Sequence, residues 1–112
     1  MLLRDIAHSR TGDKGNLVTI TLIAYRMEHF ALLEREITAE RVTRHFSEIV
    51  DRPVSRYLLP HLGAMNFVLH RPPAHTVTRS LALDAHGKCL GTALLAIEIP
   101  GGPDTEQARE NR

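Results

Sequence analysis

The most strand-like segment of this chain is Leu17-Val18-Thr19-Ile20-Thr21-Leu22-Ile23-Ala24-Tyr25. Its length and its β-branched residues predict a strand that is buried on at least one face. Alternate residues of a strand point to opposite faces. One alternate set is wholly apolar, and we expect it to face the core: Val18, Ile20, Leu22 and Ala24. The other set, which begins at Leu17 and ends at Tyr25, is expected to face away.

A polar segment precedes this strand, with the sequence Ser9-Arg10-Thr11-Gly12-Asp13-Lys14-Gly15-Asn16. Residues 2–8 before it place apolar side chains between charged ones, which predicts a first strand with imperfect alternation. The polar segment is therefore predicted to be the loop that joins two strands.

Two helices are predicted after the central strand. Phe30, Leu33 and Ile37 recur at spacings of three and four, which indicates a helix over residues 27–36. Thr38 is a helix N-cap residue, and it is predicted to start a second helix from residue 39 to about residue 49. Pro53 then ends the helical region, because the residue before a proline is disfavoured in a helix.

The second half of the chain predicts shorter elements. We expect a strand at residues 54–60, a short helix within residues 61–70, and two strands at 76–83 and 89–99 joined by a turn that contains Gly87. The result is one α+β domain over residues 1–100, a ferredoxin-like variant with a mainly antiparallel sheet and helices on one face. Residues 101–112 are predicted to form a flexible tail.

Composition excludes several classes of function. The 112 residues carry 14 Lys and Arg against 13 Asp and Glu, a net charge of +1, and only 4% aromatic residues with no Trp. Such a chain has no strong positive electrostatic field to attract nucleic acid, and it has few aromatic side chains on which bases could stack. No apolar run approaches the ~20 residues of a membrane span. The single cysteine, Cys89, excludes an internal disulfide, and a cytoplasmic location is expected.

The polar segment carries the strongest chemical signal. Gly12 and Gly15 flank Asp13 and Lys14, and glycines allow consecutive backbone N–H groups to form an anion-binding concavity. Arg10 and Lys14 add positive charge, and Asp13 is a candidate acceptor that orients a cation or a substrate hydroxyl. The alternative is an ordinary hairpin turn with Asp13 and Lys14 in solvent. The segment is not a P-loop, since the Gly-Lys-Ser/Thr end is missing.

Other candidates give weaker signals. Asn66 is a polar residue inside the apolar run of residues 62–69, so it either has hydrogen-bond partners in the interior or faces solvent. The seven histidines lack the spacing of a metal site, and His70 and His75 are interpreted as a surface pair. Cys89 is interpreted as a small core residue. No metal and no cofactor is expected.

Four segments in order resemble a known family, the AtuA-like ferredoxin-fold domain. Arg10-Thr11-Gly12-Asp13-Lys14-Gly15-Asn16 is similar to the family's Arg-Ser/Thr-Gly-Asp-Lys-Gly segment, and residues 38–42 are similar to its helix start, with Ile37 in place of Leu. The match continues through residues 62–69 and 80–88. One departure is His70-Arg71-Pro72-Pro73-Ala74-His75, where family members tend to have a glycine pair.

The resemblance implies a role in breakdown of acyclic terpenoids through acyl-CoA intermediates. In longer relatives, the domain follows a large N-terminal region. The leading hypothesis is an accessory or small subunit that assembles with itself or with a separate AtuA-like large subunit. It would contribute the residues Arg10, Thr11, Gly12, Asp13, Lys14, Gly15 and Asn16, with Asn66, to a ligand or subunit site. The alternative is a small enzyme or binder of an anionic metabolite, a carboxylate or an acyl-CoA.

Overall fold

The computed structural model describes residues 1–71 and 88–100. The regular elements in chain order are β1 (Ala7–Lys14), β2 (Leu17–Ala24), α1 (Phe30–Glu36), α2 (Ala39–His45), β3 (Ser55–Leu59), β4 (Ala64–His70) and α3 (Lys88–Leu94). Short 3-10 turns lie at Leu3–Asp5, Met27–His29 and Pro60–Leu62. The four strands form one antiparallel sheet in the order β1-β2-β4-β3, which confirms the α+β ferredoxin-like fold class.

The strand predicted from residues 17–25 is confirmed, and so is the face it presents to the core. Val18, Ile20 and Leu22 have no exposed surface. Their neighbours on β4 are Leu69, Phe67 and Met65, which are also fully buried. Ala24 packs against the same core. The alternation of apolar residues in β2 thus determines which face of the sheet packs against the core.

The helices complete this core from one side of the sheet. Leu33 of α1, Val42 of α2, and Leu90 and Leu94 of α3 are all fully buried in the same cluster as the β2 and β4 side chains. Thr38 caps α2 as predicted, because its Oγ1 accepts a hydrogen bond from the backbone N–H of Arg41 at 3.1 Å. The helix ends at His45, earlier than the sequence predicted, and a series of turns follows.

Three predicted elements differ from the structure. The first strand begins at Ala7 rather than at residue 2, because a 3-10 turn occupies Leu3–Asp5. A short helix was predicted within residues 61–70, but the structure has the strand β4 there. Gly63 adopts a left-handed conformation (φ 61°) that ends the preceding 3-10 turn. The chain then continues as a strand that pairs with β2 along one edge and with β3 along the other. The strand predicted at residues 89–99 is mostly the helix α3, followed by an isolated bridge between Leu2 and Glu98.

Other predictions fall outside the described residues. These are the strand at 76–83, the turn at 84–87 and the tail at 101–112. The described helices include none that is long and apolar enough to cross a bilayer.

Candidate functional site

The polar segment that precedes β2 is not a loop. Residues 10–14 continue β1 to its end, and Lys14 pairs with Leu17 across a turn of only two residues, Gly15 and Asn16. Gly15 has a φ of 64°, the left-handed conformation that a tight hairpin requires and that glycine adopts without steric cost. The strand forms in spite of its polar sequence because every residue of β1 is paired with β2.

The pleat of β1 divides the predicted site residues between two faces. Ser9, Thr11 and Asp13 are opposite the core residues Leu22, Ile20 and Val18, so they lie on the helix side of the sheet. A methyl group at Gly91 of α3 would lie only 2.5 Å from Thr11 Oγ1 and 2.8 Å from Ser9 Oγ. Thr11 is therefore covered by a helix, which places it apart from Arg10, Gly12 and Lys14.

Asp13 has a partner that the sequence did not suggest. Arg71 Nη2 donates a hydrogen bond to Asp13 Oδ1 at 2.9 Å and another to the carbonyl oxygen of Gly15 at 2.7 Å. The backbone N–H of Arg71 also donates to Asn16 O at 2.8 Å. Arg71 thus fixes the tip of the hairpin, and the strand pleat places Arg10 and Lys14 on the opposite face from Asp13. The position of Arg71 directly after an apolar segment was the only available signal, and it is a weak one.

The second face of the sheet, which we call the open face, carries four of the candidates: Arg10, Gly12, Lys14 and Asn66. Antiparallel partners point to the same side, so the register assigns to it His8, Arg10, Gly12, Lys14, Leu17, Thr19, Thr21, Ile23, Ser55, Tyr57, Leu59, Ala64, Asn66, Val68 and His70. None of these described strand positions is Asp or Glu. Arg10, Lys14 and two histidines therefore share this face, and no carboxylate belongs to its described strand positions.

One row of the open face runs across all four strands. Arg10 pairs with Thr21, Thr21 with Asn66, and Asn66 with Tyr57. We call these four residues the donor row. Arg10 is exposed at one end of the row and Tyr57, at 56% exposure, at the other. Arg10 and Asn66, which sequence analysis proposed separately, thus belong to one row.

The centre of the donor row is a side-chain hydrogen bond. Thr21 Oγ1 donates to Asn66 Oδ1 at 2.7 Å. No group in the part of the chain that the structure describes accepts a hydrogen bond from Asn66 Nδ2. Sequence analysis placed Thr21 only among the outward-facing residues of β2. The hydrogen bond between Thr21 and Asn66 could not be predicted, because residues 61–70 were expected to form a helix and not a strand beside β2.

The donor row is flanked by contrasting surfaces. On one side, Ile23, Ala64 and Leu59 form an apolar row in register across β2, β4 and β3. On the other side lies Gly12, where an added Cβ would have no atom within 4 Å. Gly12 therefore leaves an open gap between the side chains of Arg10 and Lys14. The open face combines hydrogen-bond donors, positive charge and an apolar strip.

The carboxylate of Asp51 lies near the end of β4 and is paired with Arg52. The backbone N–H of Asp51 donates to His70 O at 3.2 Å, which places Asp51 beside the end of β4. Arg52 Nε donates a hydrogen bond to its Oδ1 at 3.0 Å and lowers the pKa of this carboxyl below its ordinary value. Among the described residues, no cluster of His, Cys, Asp or Glu could hold a metal ion.

A groove of about 920 Å³ opens elsewhere, between α2 and the edge strand β3. It is lined by residues 38–40, 43, 44 and 53–57, and apart from Tyr57 at its rim it includes no residue of the donor row. Arg56, on its wall, is already bonded to the carbonyl oxygens of Glu34 and Ile37 at the end of α1. The groove is therefore a separate feature from the open face.

Comparison with known proteins agrees with this architecture. The family model of the AtuA ferredoxin-like domain matches residues 1–100, which includes all seven helices and strands described above. The chain belongs to the AtuA ferredoxin-like domain family. No curated protein and no solved structure matches the chain. Within this AtuA ferredoxin-like domain, the open face is the surface that carries half of the eight predicted site residues, namely Arg10, Gly12, Lys14 and Asn66.

Proposed function

We propose that this AtuA ferredoxin-like domain is an accessory subunit of an AtuA-like system in acyl-CoA or terpenoid-type catabolism, and that its open face binds an anionic group. The carrying observation is the donor row, in which Arg10 and Asn66 share a line on a face whose described strand positions include no carboxylate. A guanidinium and an amide N–H are both hydrogen-bond donors, and together they favour a carboxylate or a phosphate.

The apolar row beside the donor row supports an amphipathic ligand. Ile23 and Leu59 are only half-buried, although a sheet face that meets water alone is ordinarily polar. An acyl chain laid along this row would cover it while its carboxylate or thioester oxygen reaches Arg10 and Asn66. The same apolar surface would be covered if a partner subunit closed over the bound ligand.

The proposal of an accessory role, without catalysis by the domain itself, follows from the residues of the open face. Asp13, the acidic candidate for acid or base work, is bonded to Arg71 on the other side of the sheet. The donor row can hold and orient an anion, and it carries no carboxylate that could act as a base. A partner would be a second copy of this chain or a separate large subunit, and the location is proposed to be cytoplasmic.

The ligand proposal is tested by titrating the ¹⁵N-labelled chain with octanoate and with octanoyl-CoA while recording amide spectra. We expect shifts confined to β1, β2 and β4, and a loss of affinity of about tenfold in Arg10→Ala, the size of one charge-assisted hydrogen bond. Arg35→Ala is the matched control, because Arg35 is equally cationic and 69% exposed but lies on α1. Equal affinity of both variants, or no shifts with either ligand, would overturn the proposal.

The assembly proposal needs a separate experiment. Co-expression of this chain with an AtuA-like large subunit from the same genome, followed by size-exclusion chromatography with light scattering, should give a joint peak. If the chain elutes as a monomer beside the large subunit, and also alone, the subunit role is refuted while anion binding stands.

A further inference from the structure

We infer that the open face has a phosphoryl-binding site above Gly12, where Arg10 and Lys14 bind a phosphate group of the ligand from opposite sides. This inference rests on the proposed function and deepens it, since it names the anion that the open face prefers. Its basis is the way in which the tertiary structure separates the charges of the β1–β2 hairpin.

The charged residues of the hairpin lie on different faces of the sheet. Asp13 precedes Lys14 in the sequence, but the pleat turns it to the helix side. There its Oδ1 accepts a hydrogen bond from Arg71 Nη2 at 2.9 Å. Neither Arg10 nor Lys14 has an ion-pair or hydrogen-bond partner among the residues that the structure describes. The strands of the hairpin therefore present two positive charges and no carboxylate to the open face.

Gly12 leaves room for an anion between these two cations. Gly12 is exposed, and an added Cβ there would have no atom within 4 Å. Arg10 and Lys14 lie two residues before and two residues after it on the same face, so they are about 14 Å apart along the strand. Both side chains are long and flexible. Their charged ends can therefore reach one group that is held between them above Gly12.

The surface beside this gap supplies a further donor. Thr19 is the direct partner of Gly12 on β2, and it is half-buried on the open face. Its hydroxyl has no hydrogen-bond partner in the described part of the chain, unlike the hydroxyl of Thr21, which is bonded to Asn66. A hydroxyl can donate to a phosphate oxygen. A group above Gly12 is thus next to a donor on β2 as well as the two cations.

This arrangement favours a phosphate over a carboxylate. The guanidinium of Arg10 can form two parallel hydrogen bonds with either group. A carboxylate has only these two oxygens and a single negative charge. A phosphate monoester has three terminal oxygens and a charge of about −1.5 to −2 at neutral pH, so one oxygen is left for Lys14 when Arg10 holds the other two. A phosphate therefore gains more from the second cation than a carboxylate does.

The experiment compares octyl phosphate with octanoate, which have chains of eight carbons and differ in the head group, by amide-spectrum titration at pH 7.5. We expect the wild-type chain to bind octyl phosphate at least about tenfold more tightly than octanoate. Lys14→Gln removes the second charge, and Gly12→Val fills the gap with a residue that favours a strand. Each variant should reduce the preference by about three- to tenfold.

Ser55→Val is the matched control for Gly12→Val. Ser55 lies in the same row of the open face as Gly12, but at the far end of that row on β3. The control adds the same side chain to the same face and leaves the gap beside Arg10 open. We expect Ser55→Val to keep the preference for octyl phosphate, and a loss equal to that of Gly12→Val would overturn the inference.

A phosphoryl group at this site has two possible sources, a phosphate monoester at the head of an apolar chain or the phosphates of coenzyme A. Titration of free coenzyme A into the wild-type chain and Gly12→Val distinguishes them. If Gly12→Val weakens the binding of octyl phosphate and of coenzyme A, the site takes the phosphates of coenzyme A. If it weakens octyl phosphate alone, the site takes a phosphate monoester on the chain.

The results separate this inference from the proposed function. The inference is overturned if the wild-type chain does not prefer octyl phosphate, or if either Gly12→Val or Lys14→Gln keeps the full preference. The proposed function then stands as long as binding of octanoate or octanoyl-CoA depends on Arg10. If the wild-type chain binds none of these ligands, both fail. Thermal unfolding establishes that each variant is folded during the titration.

Discussion

Arg71 and Asp13 are 58 residues apart in the sequence and form an ion pair, with 2.9 Å between Arg71 Nη2 and Asp13 Oδ1. The same nitrogen donates to the carbonyl oxygen of Gly15, so one guanidinium joins the end of β4 to the tip of the β1–β2 hairpin. The side chain of Arg71 is 14% exposed and that of Asp13 is 31% exposed. The pair is therefore partly shielded from solvent.

This ion pair predicts a measurable coupling. Arg71→Ala should lower the free energy of unfolding by about 1 kcal/mol, since it removes hydrogen bonds to both Asp13 and the Gly15 carbonyl. Asp13→Asn should cost less, because the carbonyl contact is kept. Urea denaturation of both single variants and the double variant forms a thermodynamic cycle, and we expect a coupling of about 0.5–1 kcal/mol that shrinks in high salt. Strict additivity would show that the pair contributes nothing.

The start of α2 predicts a loss of stability at Thr38. Its Oγ1 accepts the backbone N–H of Arg41, a group that has no partner within the helix. Thr38→Ala should lower the free energy of unfolding by about 1 kcal/mol, and Thr38→Ser, which keeps the cap, should change it by a few tenths. Urea denaturation measures both. The interpretation fails if the serine variant loses as much as the alanine variant.

Gly91 predicts a steric penalty between α3 and β1. A methyl group there would approach Thr11 Oγ1 to 2.5 Å and Ser9 Oγ to 2.8 Å, so the helix must move away from the sheet. Gly91→Ala should lower the free energy of unfolding by about 1–3 kcal/mol, although alanine favours a helix. Combining it with Ser9→Ala and Thr11→Ala, which remove no buried ion pair, should recover part of this loss in the same urea assay.

Gly12 predicts the opposite result from the same substitution. Its φ is not in the left-handed region, and an added Cβ would meet no atom within 4 Å. Gly12→Ala should therefore raise the free energy of unfolding by about 0.5–1 kcal/mol, because glycine loses more backbone freedom than alanine when a strand forms. A thermal melt of Gly12→Ala beside Gly91→Ala checks the contrast. A destabilised Gly12→Ala would mean that something occupies the gap between Arg10 and Lys14.

Several elements were predictable because their signals are local. The alternation of Val18, Ile20 and Leu22 determines which face of β2 is buried, and the side chain of Thr38 is enough to start α2. The four sequence segments also predicted the family that the match over residues 1–100 establishes. These properties depend on residues that are close in the chain, where periodicity and capping act without help from distant segments.

The errors arose in short apolar runs, where the local pattern is compatible with both a helix and a strand. In residues 64–70, Met65, Phe67 and Leu69 recur with the period of two that is typical of a strand. A short apolar run of this kind also fits a helix, which is the element that the sequence predicted. In α3, Leu90 and Leu94 are spaced by four, which is compatible with a helix as well as with the strand that the sequence predicted. β4 is hydrogen-bonded to the two strands β2 and β3, whereas none of the described strands pairs with residues 88–94. The local sequence of these two segments does not reveal this difference.

The sequence by itself determined the fold class, the buried face of β2, the cap of α2 and the family, because each follows from side-chain pattern over a few residues. Only the tertiary structure decided the composition of the site. It extended β1 through residues 10–14, turned Thr11 and Asp13 toward the helix side, and brought Arg10 into line with Asn66. The physical reason is strand register: a shift of one residue between β2 and β4 would separate Thr21 from Asn66 and place Asn66 on the opposite face of the sheet from Arg10.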